Sequence, residues 1–251
     1  MKTAEQVVRD VPLLAFNDHL TRARQILRDD IYRELYVHNG KRRLMGYIDI
    51  TDVLRITDTK SNVTVEGFIK EAPVISPGDD LARIARVIDS AMTDSAVIID
   101  TQGSVMGVVL LSDIFPSLIT QHEIRGSVGD HMTRDVVTIK ADASIQKVYT
   151  LIVESGFTAF PVVRGRSPIG MISRRDLLRE RHVLKSLKNQ SKIKVESIMT
   201  TPAITVTPAD LLSTAAAALV KNDISRMPVV EGKEIVGIID RHDVLKGLVI
   251  T

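Results

Sequence analysis

Short apolar runs alternate along this chain with longer segments in which apolar residues recur every three or four positions. The clearest short runs are residues 160–163 and 169–172, separated by a turn around Gly165. Continuous, β-branched runs of this length predict paired strands that are buried on both faces. Residues 145–155 before them show helical spacing and are followed by Gly156, which predicts an amphipathic helix with a glycine stop.

The same order of elements can be followed through four copies. In the third copy, residues 136–139 predict a leading strand before the helix, and in the fourth copy residues 204–206 predict its counterpart. The helix of the fourth copy is expected to bury a stripe of five residues, namely Leu211, Leu212, Ala215, Ala218 and Leu219. The two following strands of that copy are predicted at residues 227–230 and 235–239.

Each copy also contains a glycine that is followed six residues later by an aspartate, at the predicted start of its last helix. These aspartates are Asp52, Asp113, Asp176 and Asp243, at spacings of 61, 63 and 67 residues. A regular period of this length predicts a tandem array of one β-α-β-β-α unit, and an array favours binding over catalysis. One copy has too small a core to be stable alone, so neighbouring copies are expected to pair.

The composition excludes further classes of function. The 251 residues include no cysteine, which excludes disulfides, thiolate metal sites and cysteine nucleophiles. The net charge of +2 favours neither nucleic acid nor a membrane surface. No apolar run approaches the roughly 18 residues of a membrane span, so we expect a soluble, cytoplasmic protein. Neither the six histidines nor the aspartates form a recognisable catalytic or metal-binding pattern, so we expect no enzyme, no metal and no required cofactor.

These motifs resemble the cystathionine-β-synthase (CBS) domain. The resemblance is carried by apolar-Pro-Val-Val at Pro161 and Pro228, by Gly-apolar-apolar-Ser/Thr-x-x-Asp ending at Asp176, and by the leading patterns 130–139 and 196–206. It implies an α+β (α/β) fold with copies at residues 1–57, 64–121, 128–182 and 194–251. Copies one and two would form one Bateman module, 1–121, and copies three and four another, 128–251. The modules are expected to pack as a disc, similar to the gamma subunit of AMP-activated protein kinase.

The resemblance also implies a function. Members of the family bind adenosine-containing ligands between paired copies and act as regulatory sensors. We therefore expect this chain to bind AMP, ADP or ATP, or S-adenosylmethionine, and to signal occupancy to a protein partner. The chain is expected to be a monomer or a homodimer.

Ser173 and Asp176 match the family's ligand-binding positions, which implies that the serine contacts phosphate and the aspartate contacts the ribose hydroxyls. The same spacing is that of a helix capping box, which would explain both residues without a ligand. In the second copy Leu110 replaces the serine, and in the first and fourth copies Asp49 and Asp240 do. A second carboxylate beside a phosphate costs on the order of 1–4 kcal/mol, so we expect phosphate at the third copy. The sites with two aspartates, in the first and fourth copies, are expected to be weaker, empty, or occupied by uncharged or cationic adenosyl compounds such as S-adenosylmethionine.

Further candidates surround this motif. Arg226 stands where the resemblance implies a phosphate contact, and we align Arg33 with it. The candidate nucleotide-binding residues are Thr138, Ala143, Phe157, Thr158, Ala159, Phe160, Pro161, Ser173, Arg174, Asp176, Thr205, Ile224, Ser225, Arg226, Asp240 and Asp243, with Arg33, Asp49, Asp52 and Asp113 as weaker candidates. Leu13 and Val74 stand where Thr138 and Thr205 do, which favours the carboxy-terminal half for ligand.

Two other functions stay open. The segment 179–194 is basic and carries Arg181, Lys185, Lys188, Lys192 and Lys194. It favours a solvated helix face over a nucleic-acid-binding adaptor, because no aromatic residue accompanies these charges. Alternatively, the pockets are degenerate and the protein is a structural scaffold.

Overall fold

A computed structural model of the chain describes residues 2–29, 31–56, 58, 61–180, 183, 187 and 193–249. The chain divides into two units, Met1–Leu118 (unit 1) and Ile119–Thr251 (unit 2).

Unit 1 contains two copies of one β-α-β-β-α order. Its elements are α1 (Ala4–Val7), β1 (Leu14–Ala15), α2 (Leu20–Asp29), β2 (Glu34–His38), β3 (Leu44–Asp49), α3 (Ile50–Leu54), a 3-10 turn at Glu66–Phe68, β4 (Val74–Ile75), α4 (Leu81–Ala91), β5 (Ser95–Ile99), β6 (Val105–Leu110) and α5 (Leu111–Gln121), which continues past the unit boundary. The sheets have the orders β1-β2-β3 and β4-β5-β6. In each sheet the first strand is parallel to the second, and the second is antiparallel to the third.

Unit 2 repeats this arrangement. Its elements are β7 (Glu123–Ile124), α6 (Val128–His131), β8 (Ile139–Lys140), α7 (Ile145–Ser155), β9 (Ala159–Arg164), β10 (Ser167–Ser173), α8 (Arg174–Arg179), a 3-10 turn at Val195–Ser197, α9 (Leu212–Lys221), β11 (Arg226–Glu231), β12 (Glu234–Asp240), α10 (Arg241–Lys246) and β13 (Leu248–Val249). β8 is parallel to β9, which is antiparallel to β10. β11 and β12 form the corresponding hairpin, and β7 pairs with β13. The α+β fold predicted from the sequence is confirmed.

The leading strands are shorter than the sequence predicts. In the third copy, only Ile139 and Lys140 pair with β9, whereas Val137 and Thr138 before them are exposed. In the fourth copy the leading strand is reduced to a single bridge between Val206 and Val229. The β-branched residues before these points do not belong to a β-ladder in the described part of the chain.

The helix of the fourth copy also differs in phase from the prediction. It begins at Leu212, so Leu211 is its N-cap residue, has an extended backbone and is 64 % exposed. The buried residues of α9 are Leu212, Ala215, Ala216 and Leu219, while Ala218 is half-buried. Leu211 was wrongly placed in the buried stripe because it has helical spacing to these residues without lying in the helix.

Within each unit the two copies are joined by an exchange of backbone segments. The segment before each leading strand pairs with the last strand of the other copy through two reciprocal backbone hydrogen bonds of 2.8–3.0 Å. The four pairs are Lys70 with Tyr47, Arg9 with Val108, Thr200 with Met171 and Thr133 with Ile238. Arg9, Lys70, Thr133 and Thr200 are therefore equivalent positions, and we call them the exchange residues.

This exchange explains the glycine of the repeated motif. A β-carbon on Gly170 would lie 2.5 Å from the carbonyl oxygen of Thr200, and one on Gly46 would lie still closer to that of Lys70. Side chains do not tolerate such distances, so the crossing segment requires glycine. Copy pairing, rather than a ligand, accounts for this part of the motif.

Candidate functional site

The motif of the third copy forms a capping box at the start of α8. Both the backbone nitrogen and the hydroxyl of Ser173 donate to Oδ2 of Asp176, each at 2.7 Å. The hydroxyl hydrogen of Ser173 is thus directed to the aspartate instead of to the site expected for phosphate. Oδ1 of Asp176 accepts no hydrogen bond from the residues that the structure describes. Capping therefore accounts for one oxygen of this carboxylate and leaves the other for a donor from outside.

Asp176 is half-buried, and this burial raises the pKa of its carboxyl group above the ordinary value. The hydrogen bonds from Ser173 and the positive charges of Arg179 and Arg175 oppose the rise. The partly desolvated carboxylate would gain from hydroxyl donors that reach its second oxygen.

The motif aspartates of unit 1 are already neutralised by cations. Arg9 donates to both oxygens of Asp113, at 2.5 and 2.9 Å. Nζ of Lys70 lies 2.7 Å from Oδ2 of Asp52 and 3.3 Å from Oδ2 of Asp49. Both cations are exchange residues, so each reaches the aspartate from the other copy of its unit. The second carboxylate expected to disfavour phosphate in the first copy is therefore matched by an ammonium group.

In the fourth copy the cations come from the same copy. Lys246 lies 3.1 Å from Oδ1 of Asp243, whose Oδ2 accepts the backbone nitrogen of Asp240 at 3.1 Å. Asp240 in turn lies 3.7 Å from Arg226. Burial and the neighbouring Asp240 raise the pKa of Asp243. Because the Asp243 carboxylate already has a partner at each oxygen, it is less available to a ligand than Asp176.

Strand register corrects one alignment made from the sequence. The residues opposite the N-cap positions of the last helices are Glu34, Ser95, Ala159 and Arg226. Arg226 therefore corresponds to Glu34, and aligning Arg33 with it was wrong by one residue. The first copy has Tyr36 where the third and fourth have proline, so the sequence lacked the landmark that fixes the register there. The structure places Arg33 3.3 Å from Asp94.

In unit 1 these register positions join the two copies directly. The Glu34 carboxylate accepts the backbone nitrogen of Asp94 at 3.1 Å and the hydroxyl of Ser95 at 2.8 Å. The Tyr36 hydroxyl lies 3.0 Å from that of Ser95, and both side chains are almost completely buried. A buried polar network thus occupies, in unit 1, the positions predicted to contact ligand in unit 2.

Five of the predicted residues form one cluster in the third copy. Ala159 pairs with Ser173 across the strands, and the carbonyl of Thr158 accepts the backbone nitrogen of Arg174 at 2.9 Å. Together with Asp176 they surround the start of α8. Thr158 and Ala159 are half-buried, whereas the Arg174 side chain is only 8 % exposed.

The fourth copy contains the equivalent cluster. The carbonyl of Ser225 accepts the backbone nitrogen of Arg241 at 3.1 Å, and Arg226 pairs with Asp240. Asp243 completes the cluster. Arg241, at 7 % exposure, is a candidate that the sequence reasoning missed, although its equivalence to Arg174 could have been found by aligning the copies.

The predicted apolar contacts divide into core and surface. Phe160 is 1 % exposed and Pro161 is also buried, so both are core residues. Phe157 is 48 % exposed and packs edge-on against Phe160, with ring centroids 6.2 Å apart. Thr138 and Thr205 are exposed, while Ala143 and Ile224 are half-buried. Of this set, Phe157 presents the largest exposed apolar surface beside the cluster.

The exchange residues were also missed from the sequence. Arg9 and Lys70 lie far in sequence from the aspartates that they contact, so no local spacing indicates the ion pairs. A signal exists, because Val8-Arg9 and Ile69-Lys70 align with Met132-Thr133 and Met199-Thr200 once the four copies are superimposed.

The basic segment 179–194 lies largely outside the described residues. The structure describes only six of its sixteen residues. In the part of the chain that the structure describes, no group of three or more His, Cys, Asp or Glu residues is arranged to hold a metal ion. No helix in the described ranges has the length and apolar character needed to cross a membrane.

Comparison with known proteins places these sites in a family. Residues 128–183 and 195–250 match the model of the CBS domain. The uncharacterized protein MJ1225 of Methanocaldococcus jannaschii is 25% identical over 256 residues, which cover 90% of this chain and 91% of the relative. MJ1404 of the same organism is 26% identical over 256 residues, which cover 96% of this chain and 60% of the relative.

Solved structures show the same fold. The crystal structure of MJ1225, described as a candidate archaeal homolog of g-AMPK, has a TM-score of 0.82 at 21% identity and covers 98% of this chain and 99% of that one. An uncharacterized conserved protein from Pyrococcus horikoshii has a TM-score of 0.65, at 21% identity and with the same coverage. The family matches confirm the resemblance for residues 128–183 and 195–250, which contain two CBS domains, and the fold of the MJ1225 structure is shared over nearly the whole chain.

Proposed function

We propose that unit 2 reversibly binds an adenosine-containing ligand at the Asp176 cluster and that occupancy regulates a protein partner, with no enzymatic step. The observation that carries this proposal is the state of the Asp176 carboxylate. One oxygen is fixed by Ser173, the other accepts no hydrogen bond within the described residues, and burial raises the pKa of the group. The two adjacent hydroxyls of a ribose are suitable donors for such an acceptor.

The surrounding charges support a ligand that carries phosphate. Arg175 and Arg179 lie near enough to Asp176 to oppose the rise in its pKa that burial causes, and the buried Arg174 adjoins the same helix start. Guanidinium groups bind phosphate in a planar, bidentate manner. We therefore favour AMP, ADP or ATP at the third copy. The Asp240 and Asp243 carboxylates of the fourth copy favour a cationic adenosyl compound such as S-adenosylmethionine there.

In this proposal copies three and four, residues 128–182 and 194–251, form the responding module. Copies one and two, residues 1–57 and 64–121, form a module closed by its own side chains. The copies of unit 2 hold each other through the pairs Thr200–Met171 and Thr133–Ile238. A ligand that contacts both copies can shift the equilibrium between two packing arrangements only by as much as its affinities for them differ. A partner protein would then bind one of these arrangements in preference to the other.

Calorimetric titration with AMP, ATP and S-adenosylmethionine, each alone, tests the proposal. Asp176→Asn keeps a cap oxygen for Ser173 but replaces the free acceptor with a donor. We expect affinity to fall about 100-fold, since hydrogen bonds to a charged acceptor contribute about 1.5–3 kcal/mol each. Asp52→Asn is the matched control in unit 1 and should bind as the wild type does.

Two outcomes would count against this function. The absence of heat and of thermal stabilisation with all three ligands would favour a structural scaffold with degenerate pockets. Unchanged affinity in a folded Asp176→Asn protein would place any binding elsewhere.

A further inference from the structure

The four exchange residues share one backbone geometry but differ in side chain. Each forms two backbone hydrogen bonds to the residue that follows the motif glycine of the other copy. In unit 1 the residue is Arg9 or Lys70, and its side chain reaches the motif aspartate of that other copy. In unit 2 it is Thr133 or Thr200, which carries no charge.

The ammonium group of Lys70 makes the contacts that a bound cationic ligand would make. Its ammonium lies 2.7 Å from Asp52, 3.3 Å from Asp49 and 5.6 Å from the centre of the Tyr47 ring. The Asp52 side chain is only 3 % exposed. Burial by itself lowers the pKa of Lys70, but the two carboxylates outweigh it, and the pKa is raised. The ammonium group therefore stays charged at neutral pH.

Arg9 pairs with the motif aspartate of the second copy in the same way. Its guanidinium donates to both oxygens of Asp113, so neither remains for a sugar hydroxyl. Both motif aspartates of unit 1 are thus paired with a cation from the same structural position, which carries threonine in both copies of unit 2.

We propose that the exchange residue determines which motif aspartate can accept an external ligand. Arg9 and Lys70 act as internal ligands that occupy Asp113 and Asp52. Thr200 leaves Asp176 accessible, whereas Asp243, which faces Thr133, is paired with Lys246 of its own copy. The inference rests on the proposed function for the identity of the ligand, but not for the ion pairs. It assigns a selectivity role to a position that contacts no ligand itself.

The variant Thr200→Lys tests the inference by giving the third copy the residue found in the first. Thr200 is exposed and its backbone bonds to Met171 do not depend on its side chain, so the fold tolerates lysine there. The new ammonium should pair with Asp176. We expect the pKa of Asp176, followed by carboxyl carbon NMR and assigned with Asp176→Asn, to fall by at least one unit.

The affinity of Thr200→Lys for AMP should fall at least tenfold in the same preparation. Thr200→Val has the same shape without the charge and should bind AMP as the wild type does. Thr133→Lys is the matched charge control, because it places the ammonium beside Asp243 in the other copy and should leave binding at Asp176 unchanged.

The two measurements separate this inference from the function on which it rests. If wild-type protein binds no adenosyl ligand, the proposed function fails, while the pKa of Asp176 in Thr200→Lys still reports whether the position controls the aspartate. An unchanged pKa overturns the inference even if wild-type protein binds AMP. A lowered pKa with wild-type AMP affinity also overturns it. Conversely, Lys70→Thr should raise the pKa of Asp52, and an unchanged or lower value would contradict the role of Lys70.

Discussion

Units 1 and 2 have the same strand register but use the same positions differently. Opposite the helix N-caps, unit 1 has Glu34 and Ser95, which bond to each other across the two copies. Unit 2 has Ala159 and Arg226 at these places. The backbone therefore fixes where a cleft between copies can lie, and the side chains decide whether that cleft is closed internally or left for a ligand.

The positive charges are also placed differently. At the first residue of the last helix, unit 1 has the apolar Ile50 and Leu111, at 1 % and 0 % exposure. Unit 2 has Arg174 and Arg241 there, at 8 % and 7 % exposure. Unit 1 instead carries its cations at the exchange positions, where they neutralise the motif aspartates. With a cation at the exchange position, as with Lys70, the motif aspartate Asp52 is a structural ion-pair partner. With the cation at the first residue of the last helix instead, as with Arg174, the motif aspartate Asp176 is an available acceptor.

Glu34→Ala is expected to have the largest effect on the difference between the two units. The substitution places alanine, the residue at the equivalent position 159 of unit 2, in unit 1 and should lower the stability of unit 1. The substitution leaves the backbone nitrogen of Asp94 and the hydroxyl of Ser95 without their acceptor. Hydrogen bonds to a charged acceptor contribute about 1.5–3 kcal/mol each, and the Ser95 hydroxyl keeps Tyr36 as a partner, so unfolding in urea should show a loss of about 3 kcal/mol. Ligand binding in unit 2 should be unchanged. A loss below about 0.5 kcal/mol would mean that the network does not hold the copies of unit 1 together.

The second prediction concerns pH. Ribose hydroxyls form stronger hydrogen bonds to the ionised carboxylate of Asp176 than to its protonated form, and burial raises the pKa of this group. Affinity should be constant well above this raised pKa and should fall as the pH drops through it. Folding has the opposite dependence, because a carboxyl whose pKa rises on folding costs stability when ionised, and this cost disappears as the pH falls.

Calorimetric titration between pH 4 and 8 would measure the change in affinity. Asp176→Asn is the control, since its residual binding should lack this dependence. Affinity that increases towards low pH in the wild type would contradict a carboxylate acceptor.

The smallest effect is expected for Tyr36→Phe, which removes one buried hydrogen bond to Ser95. A buried hydrogen bond contributes about 1 kcal/mol, so the free energy of unfolding should fall by about that amount. Tyr149→Phe in unit 2 is the matched control. Tyr149 is half-buried and forms no hydrogen bond with the described residues, so its change should stay within about 0.5 kcal/mol. Equal losses in the two variants would show that ring packing, rather than the hydroxyl, stabilises unit 1.

The sequence predicted those features that depend on residues close together in the chain. The repeat period and apolar runs predicted the fold, and the spacing of Ser173 and Asp176 predicted a capping box that forms as expected. Errors arose where a local pattern was ambiguous. Leu211 had helical spacing but precedes its helix, and Arg33 was aligned without the proline that marks the other copies.

Contacts between distant residues could not be read from local patterns. Lys70 meets Asp52 because a segment of one copy crosses to the other, and this crossing depends on packing over the whole unit. The sequence therefore indicated where the motif aspartates lie, but not which of them are neutralised. The exchange pairs show that Asp52 is neutralised by Lys70, whereas Asp176 faces Thr200.

The crossing segments also constrain how the protein is assembled during synthesis. Thr133 pairs with Ile238, and β7 pairs with β13, so the beginning of unit 2 is completed only by residues near the end of the chain. A nascent chain that has emerged only as far as α9 has the Asp176 motif but lacks the strand that holds its leading segment. Long-range closures of this kind slow folding and make it cooperative. The unit proposed to bind the ligand therefore cannot close until the residues of β12 and β13 have been synthesised.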